Sequence, residues 1–127
     1  IGLLDLDFFK NVNDTLGHLV GDEVLQETAR RIRSSLRNYD IAGRYGGEEF
    51  LLILPGATRD DALRTLERVR IAVGGTPMET RDGVVVTVTA SLGFACDDGA
   101  LKPDVLVRRA DAALYRAKND GRNRVNE

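Results

Sequence analysis

The run from Val84 to Phe94 alternates in polarity along its length. Val84, Val86, Val88, Ala90, Leu92 and Phe94 fall on one side, and Val85, Thr87, Thr89 and Ser91 on the other. Only an extended backbone sends every second side chain to the same face, so this stretch reads as a strand covered on one side. Asp82-Gly83 just before it marks a turn back to a short partner strand. The sheet that this strand demands is flanked by helical patterns. Val20, Val24, Leu25, Ala29, Ile32 and Leu36 recur at helical spacing over Val20 to Leu36, and Ala62, Leu66, Val69 and Val73 do so over Thr58 to Val73. Thr58, with Asp61 three residues on, has the form of a helix N-cap. A third helix is expected from Pro103 to Lys118, with Pro103 in its first turn, Val105, Leu106, Ala110, Ala113, Leu114 and Ala117 inward, and Gly121 ending it.

The other strands are shorter. Ile1-Gly2-Leu3-Leu4 is an apolar run that ends in Asp5-Leu6-Asp7. Ile41-Ala42-Gly43-Arg44 and Phe50-Leu51-Leu52-Ile53-Leu54 are joined through Tyr45-Gly46-Gly47-Glu48-Glu49, a hairpin with two glycines at its tip. Asn11 to Gly17 is polar and reads as a turn-rich connection. The expected class is α/β (α+β), with a central, mostly antiparallel sheet flanked by helices. The 127 residues form one domain, with no linker, repeat or low-complexity tract to divide them.

Composition narrows the function classes. Eighteen Lys and Arg against twenty Asp and Glu leave a net charge of −2, which argues against a broadly basic nucleic-acid binder. No apolar run approaches the roughly 20 residues of a membrane span, and a single cysteine fits a reducing, cytoplasmic setting without disulfides. Fifteen of the eighteen basic residues are Arg. Codon usage accounts for such a skew as readily as guanidinium recognition of phosphates and purine edges does.

The chemistry gathers at strand ends. Asp5 and Asp7, two apart on an extended chain, project to the same side, and Glu48 and Glu49 sit at the hairpin tip. Acidic residues at strand ends are often simply solvated. If the two strands are neighbours, however, the four carboxylates form an all-oxygen cluster that suits a hard cation such as Mg²⁺. Gly46 and Gly47, without side chains, would let a bulky ligand approach the backbone.

The order of these segments resembles a known family. Asp5-Leu6-Asp7-Phe8-Phe9-Lys10-Asn11-Val12-Asn13-Asp14 is similar to the D-x-D-x-F-K-x-x-N-D signature of the GGDEF family of diguanylate cyclases. Gly17-His18-Leu19-Val20-Gly21-Asp22 resembles its G-H-x-x-G-D. Arg44-Tyr45-Gly46-Gly47-Glu48-Glu49-Phe50 resembles the motif that names the family, in its Glu variant. Thr89-Ala90-Ser91-Leu92-Gly93 is similar to its T-x-S-x-G strand. Arg109-Ala110-Asp111, Ala113-Leu114-Tyr115, Ala117-Lys118 and Gly121-Arg122-Asn123 resemble its closing R-A-D-x-A-L-Y-x-A-K-x-x-G-R-N.

The resemblance implies a palm-like nucleotidyl-cyclase fold and condensation of two GTP into cyclic di-GMP and two pyrophosphates. It implies Mg²⁺, with Mn²⁺ as an alternative, held by Asp5, Glu48 and the backbone carbonyl of Leu6. It implies catalytic roles for Glu49, Glu48 and Lys10, with Glu49 either a metal ligand or the acceptor of the 3′-hydroxyl proton. Substrate contacts are implied for Phe9, Gly46, Gly47, Lys118 and Arg122, and guanine reading for Asn13 and Asp22. Guanine offers N1–H and N2–H₂ donors that a carboxylate accepts and adenine lacks. His18 would position its loop or touch the base. Arg37 and Asp40 resemble the R-x-x-D product-inhibition site, with Arg68 as a further arginine; alternatively, Arg37 only complements its helix dipole. A two-fold symmetric product implies a homodimer for catalysis, with an upstream sensory or receiver domain. Family domains begin earlier, with a D-x-L-T-G-L-x-N-R segment and a first helix, so the chain is expected to be the larger part of such a domain. The alternatives are a catalytically silent domain that binds GTP or cyclic di-GMP, and a cyclase with a mononucleotide or mixed dinucleotide product.

Overall fold

Gly2–Leu6 forms strand β1, every residue of which is buried, because it runs down the middle of the sheet and is packed on both faces. The computed structural model describes residues 1–127. After β1 come α1 (Phe9–Leu16), α2 (His18–Ser35), β2 (Ile41–Gly46), β3 (Glu49–Ile53), α3 (Arg59–Gly74), β4 (Met78–Glu79), β5 (Val85–Val86), β6 (Ala90–Phe94), α4 (Pro103–Asn119) and β7 (Val125–Asn126). Five strands make the central sheet in the order β2-β3-β1-β6-β7, antiparallel except for β6 with β7. The expectation of a mostly antiparallel sheet flanked by helices holds.

Alternation along β1 divides the core. Leu4 and Leu6 join Val24 and Ile32 of α2 and Leu66, Val69 and Val73 of α3, while Leu3 packs with Ala110 and Leu114 of α4 on the other face. Each buried leucine contributes about 2 kcal/mol of transfer free energy. Gly93 seats α4. A Cβ there would lie 2.0 Å from the Leu114 nitrogen and 2.3 Å from the Ala110 oxygen, so only glycine lets the helix lie this close to β6. Thr58 and Asp61 form a reciprocal capping box at the start of α3, and Pro103 opens α4.

Two expectations are corrected. The run from Val84 to Phe94 is not one strand covered on one face. It breaks over Thr87–Thr89, so that β5 pairs with β4 in a separate two-stranded sheet and β6 joins the central one. All five residues of β6 are buried. The polarity pattern misleads because Ser91 looks solvent-facing yet is buried on the face of β6 where Gly93 meets α4. The segment from Asn11 to Gly17 is not a turn-rich connection either. Residues up to Leu16 are helical, in α1, and Gly17 at φ 90° closes it. Phe9 and Val12, one helical turn apart, pack on the core, and this packing outweighs the poor helix propensity of Asn, Asp and Thr.

A buried guanidinium ties α2 to the end of α3. Arg31 is 9% exposed. It donates to the carbonyls of Ala72 (3.3 Å), Val73 (3.0 Å), Thr76 (2.7 Å) and Pro77 (2.9 Å), and to Glu27 Oε1 (2.8 Å). Hydrogen bonds from Arg30 and Arg31 hold the Glu27 carboxyl down at about 2, from an ordinary 4.5. A depressed folded-state pKa stabilises the fold fully above the unfolded value, and this is lost as pH falls from about 4.5 to about 2. The melting temperature of Glu27→Gln is therefore expected to lie below that of the unaltered chain at pH 6 and to converge on it by about pH 2. Parallel acid limbs in thermal melts would contradict this assignment.

Candidate active site

The end of β1 and the β2–β3 hairpin meet because β1 pairs with β3 in a register that sets Asp5 opposite Glu49. Residues directly opposite in an antiparallel pair share a face. Here it is the face that α4 covers, and Lys118 near the end of α4 reaches Asp5 Oδ2 at 3.0 Å. Glu48, at the hairpin tip, accepts the Leu6 backbone N–H through its carbonyl at 3.3 Å. Asp5, Leu6, Phe8, Lys10, Glu48 and Arg122 are among the residues that line a cleft of about 190 Å³ here.

The electrostatics are strained towards the neutral form. Burial pushes the Asp5 carboxyl up, against the pull of Lys118, and the neighbouring Glu48 and Asp7 add to the rise. Burial likewise raises Glu49, with the Asp5 charge reinforcing it. No three His, Cys, Asp or Glu side chains are gathered closely enough to hold a metal ion by themselves. Asp5, Glu48 and the Leu6 carbonyl, all on the cleft, suit a divalent cation whose remaining ligands come from a bound phosphate ester.

Asp7 borders the same cleft, but protein donors hold its carboxylate. It is 4% exposed, and its oxygens accept from Thr89 Oγ1 (2.6 Å), Ser91 Oγ (2.7 Å) and the Asn123 backbone N–H (3.1 Å). Phe8 has a left-handed backbone (φ 56°) and an exposed ring, over which the Arg122 guanidinium lies at 4.6 Å. Phe9, by contrast, is buried in the core beneath the cleft.

Asn13 packs on Gly21, where a Cβ would come within 1.9 Å of its Oδ1, and Asp22 follows on the exposed side of α2. Asp22 also borders a groove of about 550 Å³ between α2 and β2, lined by Leu25, Ile32, Arg33, Ala42, Arg44 and Phe50 among others. His18 is exposed at the first position of α2. Gly47 takes a left-handed backbone (φ 23°) at the hairpin tip, and no heavy atom lies within 4 Å of where its Cβ would be.

Away from the cleft, Arg37 is exposed and donates to the Tyr39 hydroxyl at 2.9 Å, and Arg68 forks onto the Ser35 carbonyl at 2.9 and 2.8 Å. Asp40 is buried, with Oδ2 accepting the Arg37 backbone N–H at 2.9 Å.

The family model described as "Diguanylate cyclase, GGDEF domain" matches residues 1–124. The chain belongs to the GGDEF family. This GGDEF chain is 47% identical over 125 residues to the response regulator PleD of Caulobacter vibrioides, covering 97% of the chain but 28% of PleD. It is 45% identical over 124 residues to diguanylate cyclase A of Treponema denticola, covering 97% of the chain and 33% of that protein. The GGDEF domain of DgcB from Caulobacter crescentus, solved in complex with c-di-GMP, superposes with a TM-score of 0.92 at 38% identity. That match covers 98% of this chain and 74% of the other. The chain thus spans about a third or less of the curated relatives it matches.

Sequence reasoning missed the work of Asp7, Thr89, Ser91 and Asn123, although each stands in a quoted motif, because their union needs β1, β6 and the turn after α4 to converge. It also missed Phe8, whose signal was an exposed aromatic beside a run of carboxylates. No helix of the chain is long and apolar enough to cross a membrane.

Proposed function

We propose that this GGDEF chain is the catalytic domain of a diguanylate cyclase, joining two GTP into cyclic di-GMP with release of two pyrophosphates. The observation that carries the reading is the Asp5–Glu49 pair across β1 and β3, with Lys118 beside it and an open cleft at its edge. Asp5, Glu48 and the Leu6 carbonyl are the residues that would hold the cation, Mg²⁺ or Mn²⁺. A bound divalent cation supplies Lewis-acid polarisation of the α-phosphate and acidifies the attacking ribose 3′-hydroxyl.

Glu49, opposite Asp5 in the β1–β3 register, would accept the 3′-hydroxyl proton, a role that its raised carboxyl pKa supports. Lys10, Lys118 and Arg122 surround the cleft and offset charge that develops on the phosphates as the leaving pyrophosphate departs. Asp22 and Asn13 accept from the guanine N1–H and N2–H₂ edge, which favours GTP over ATP. Each domain contributes one GTP, so the two-fold product requires two copies facing each other about a dyad. Incubation of the full-length, dimeric protein with Mg²⁺ and GTP is expected to yield cyclic di-GMP by mass spectrometry. Nucleotide binding without product would favour a silent effector domain instead.

Product inhibition is assigned to the surface that carries Arg37 and Arg68, whose exposed guanidiniums can fork onto phosphate or the guanine O6/N7 edge, while Asp40 holds the turn. Arg37→Ala is expected to raise the cyclic di-GMP concentration needed for half-inhibition by about tenfold, with little change in uninhibited rate. An unchanged inhibition curve in a product-titration assay would remove this site.

A further inference from the structure

The turn after α4 has an unusual backbone. Gly121, Arg122 and Asn123 all have positive φ (120°, 63° and 48°). Side-chain-bearing residues adopt that region reluctantly, and two in succession need support from outside the turn. Arg70 of α3 supplies part of it, donating to Asn123 Oδ1 at 2.8 Å, and the rest comes from Asp7. Its carboxylate accepts from the Asn123 N–H, from Thr89 Oγ1 and from Ser91 Oγ, and its own N–H donates to the Thr89 carbonyl at 2.8 Å. Asp7 and Ser91 are buried, so the centre of this network lies beneath α4, while Asn123 is at the surface. The turn in question carries Arg122, whose guanidinium stacks on Phe8 at the lip of the cleft, and it follows directly on Lys118, which pairs with Asp5.

From this geometry we infer that Asp7 is a positioning residue: by anchoring Asn123 it holds Arg122 and Lys118 over the cleft at the height where the nucleotide phosphates lie. Both oxygens of Asp7 already accept hydrogen bonds, three in all, which fixes the orientation of its carboxylate. Thr89 and Ser91 of the T-x-S-x-G strand gain a role here. They orient the carboxylate, and Gly93 lets α4 come close enough for the turn that follows it to reach Asp7. The inference rests on the nucleotide reading above.

The test compares GTP with GMP on the full chain in Mg²⁺. Both carry guanine, but only GTP has the β- and γ-phosphates that Lys118 and Arg122 would meet. Asp7→Ala is expected to weaken GTP about tenfold, to leave GMP within about twofold, and to speed hydrogen exchange of the Asn123 amide. Asp7→Asn, whose amide oxygen still accepts from Asn123 while its NH₂ donates to a hydroxyl, should hold GTP within about threefold of the unaltered chain. If Asp7→Ala does not fold, Ser91→Ala serves, with a loss of about threefold for GTP and none for GMP. An unchanged ratio of the two affinities, or an equal fall in both, overturns the positioning role. An unaltered chain with no preference for GTP over GMP removes the nucleotide reading and this role with it. In that case, slow exchange at Asn123 that Asp7→Ala abolishes still identifies the failure as one of ligand and not of anchor.

Discussion

Glu49→Gln is expected to lower the rate of cyclic di-GMP formation about 1,000-fold without weakening the fold. Glutamine keeps the shape of the side chain and removes its charge and basicity. Glu49 stands opposite Asp5 and is half-buried, and this burial and the Asp5 charge both push its carboxyl upward. Ionised Glu49 is therefore a source of strain in the folded state, and its neutral isostere should melt at the same temperature or slightly higher. A loss of activity paired with unchanged or increased stability marks a side chain retained for chemistry. Initial rates from chromatographic product analysis, set beside thermal melts of the same preparations, decide the matter. A rate within tenfold of the unaltered protein would remove Glu49 from the reaction, and a fall in melting temperature of several degrees would make its role structural.

Arg31→Met is expected to cost about 3 to 5 kcal/mol, enough to lower the melting temperature of a chain this size by roughly 10–20 °C. The methionine retains an apolar stem but no donors. Four carbonyls at and beyond the end of α3 then lose their partner, and Glu27 keeps only Arg30. Buried acceptors left unpaired carry the desolvation cost without the compensating bond. Arg31→Lys should recover little, since one ammonium cannot span carbonyls arranged from Ala72 to Pro77. A shift below about 4 °C on denaturation would mean that water replaces the guanidinium there.

Much of the site could be read from the chain because its motifs are short and local. Asp5 and Asp7 at a strand end, Gly46-Gly47-Glu48-Glu49 at a hairpin tip, and the Thr58–Asp61 cap each depend on residues within a turn or two of one another. What escaped reading depends on distant partners. Ser91 looked solvent-facing because polarity alone cannot report that α4 lies above it. The helix at Phe9–Leu16 looked like a loop because its stability comes from packing on α2 and the core.

The sequence by itself determined the three long helices, the family likeness and the identity of the carboxylates and cations, since these follow from periodicity, capping chemistry and the order of motifs. Only the tertiary structure decided which of those groups meet. Pairing β1 with β3 and β6, and seating α4 on Gly93, sets Asp5 against Glu49 and Lys118. The same arrangement ties Asp7 into a network with Thr89, Ser91 and Asn123. Two aspartates of one tripeptide thus differ in surroundings because three protein donors hold one carboxylate while the other meets only Lys118 at the cleft.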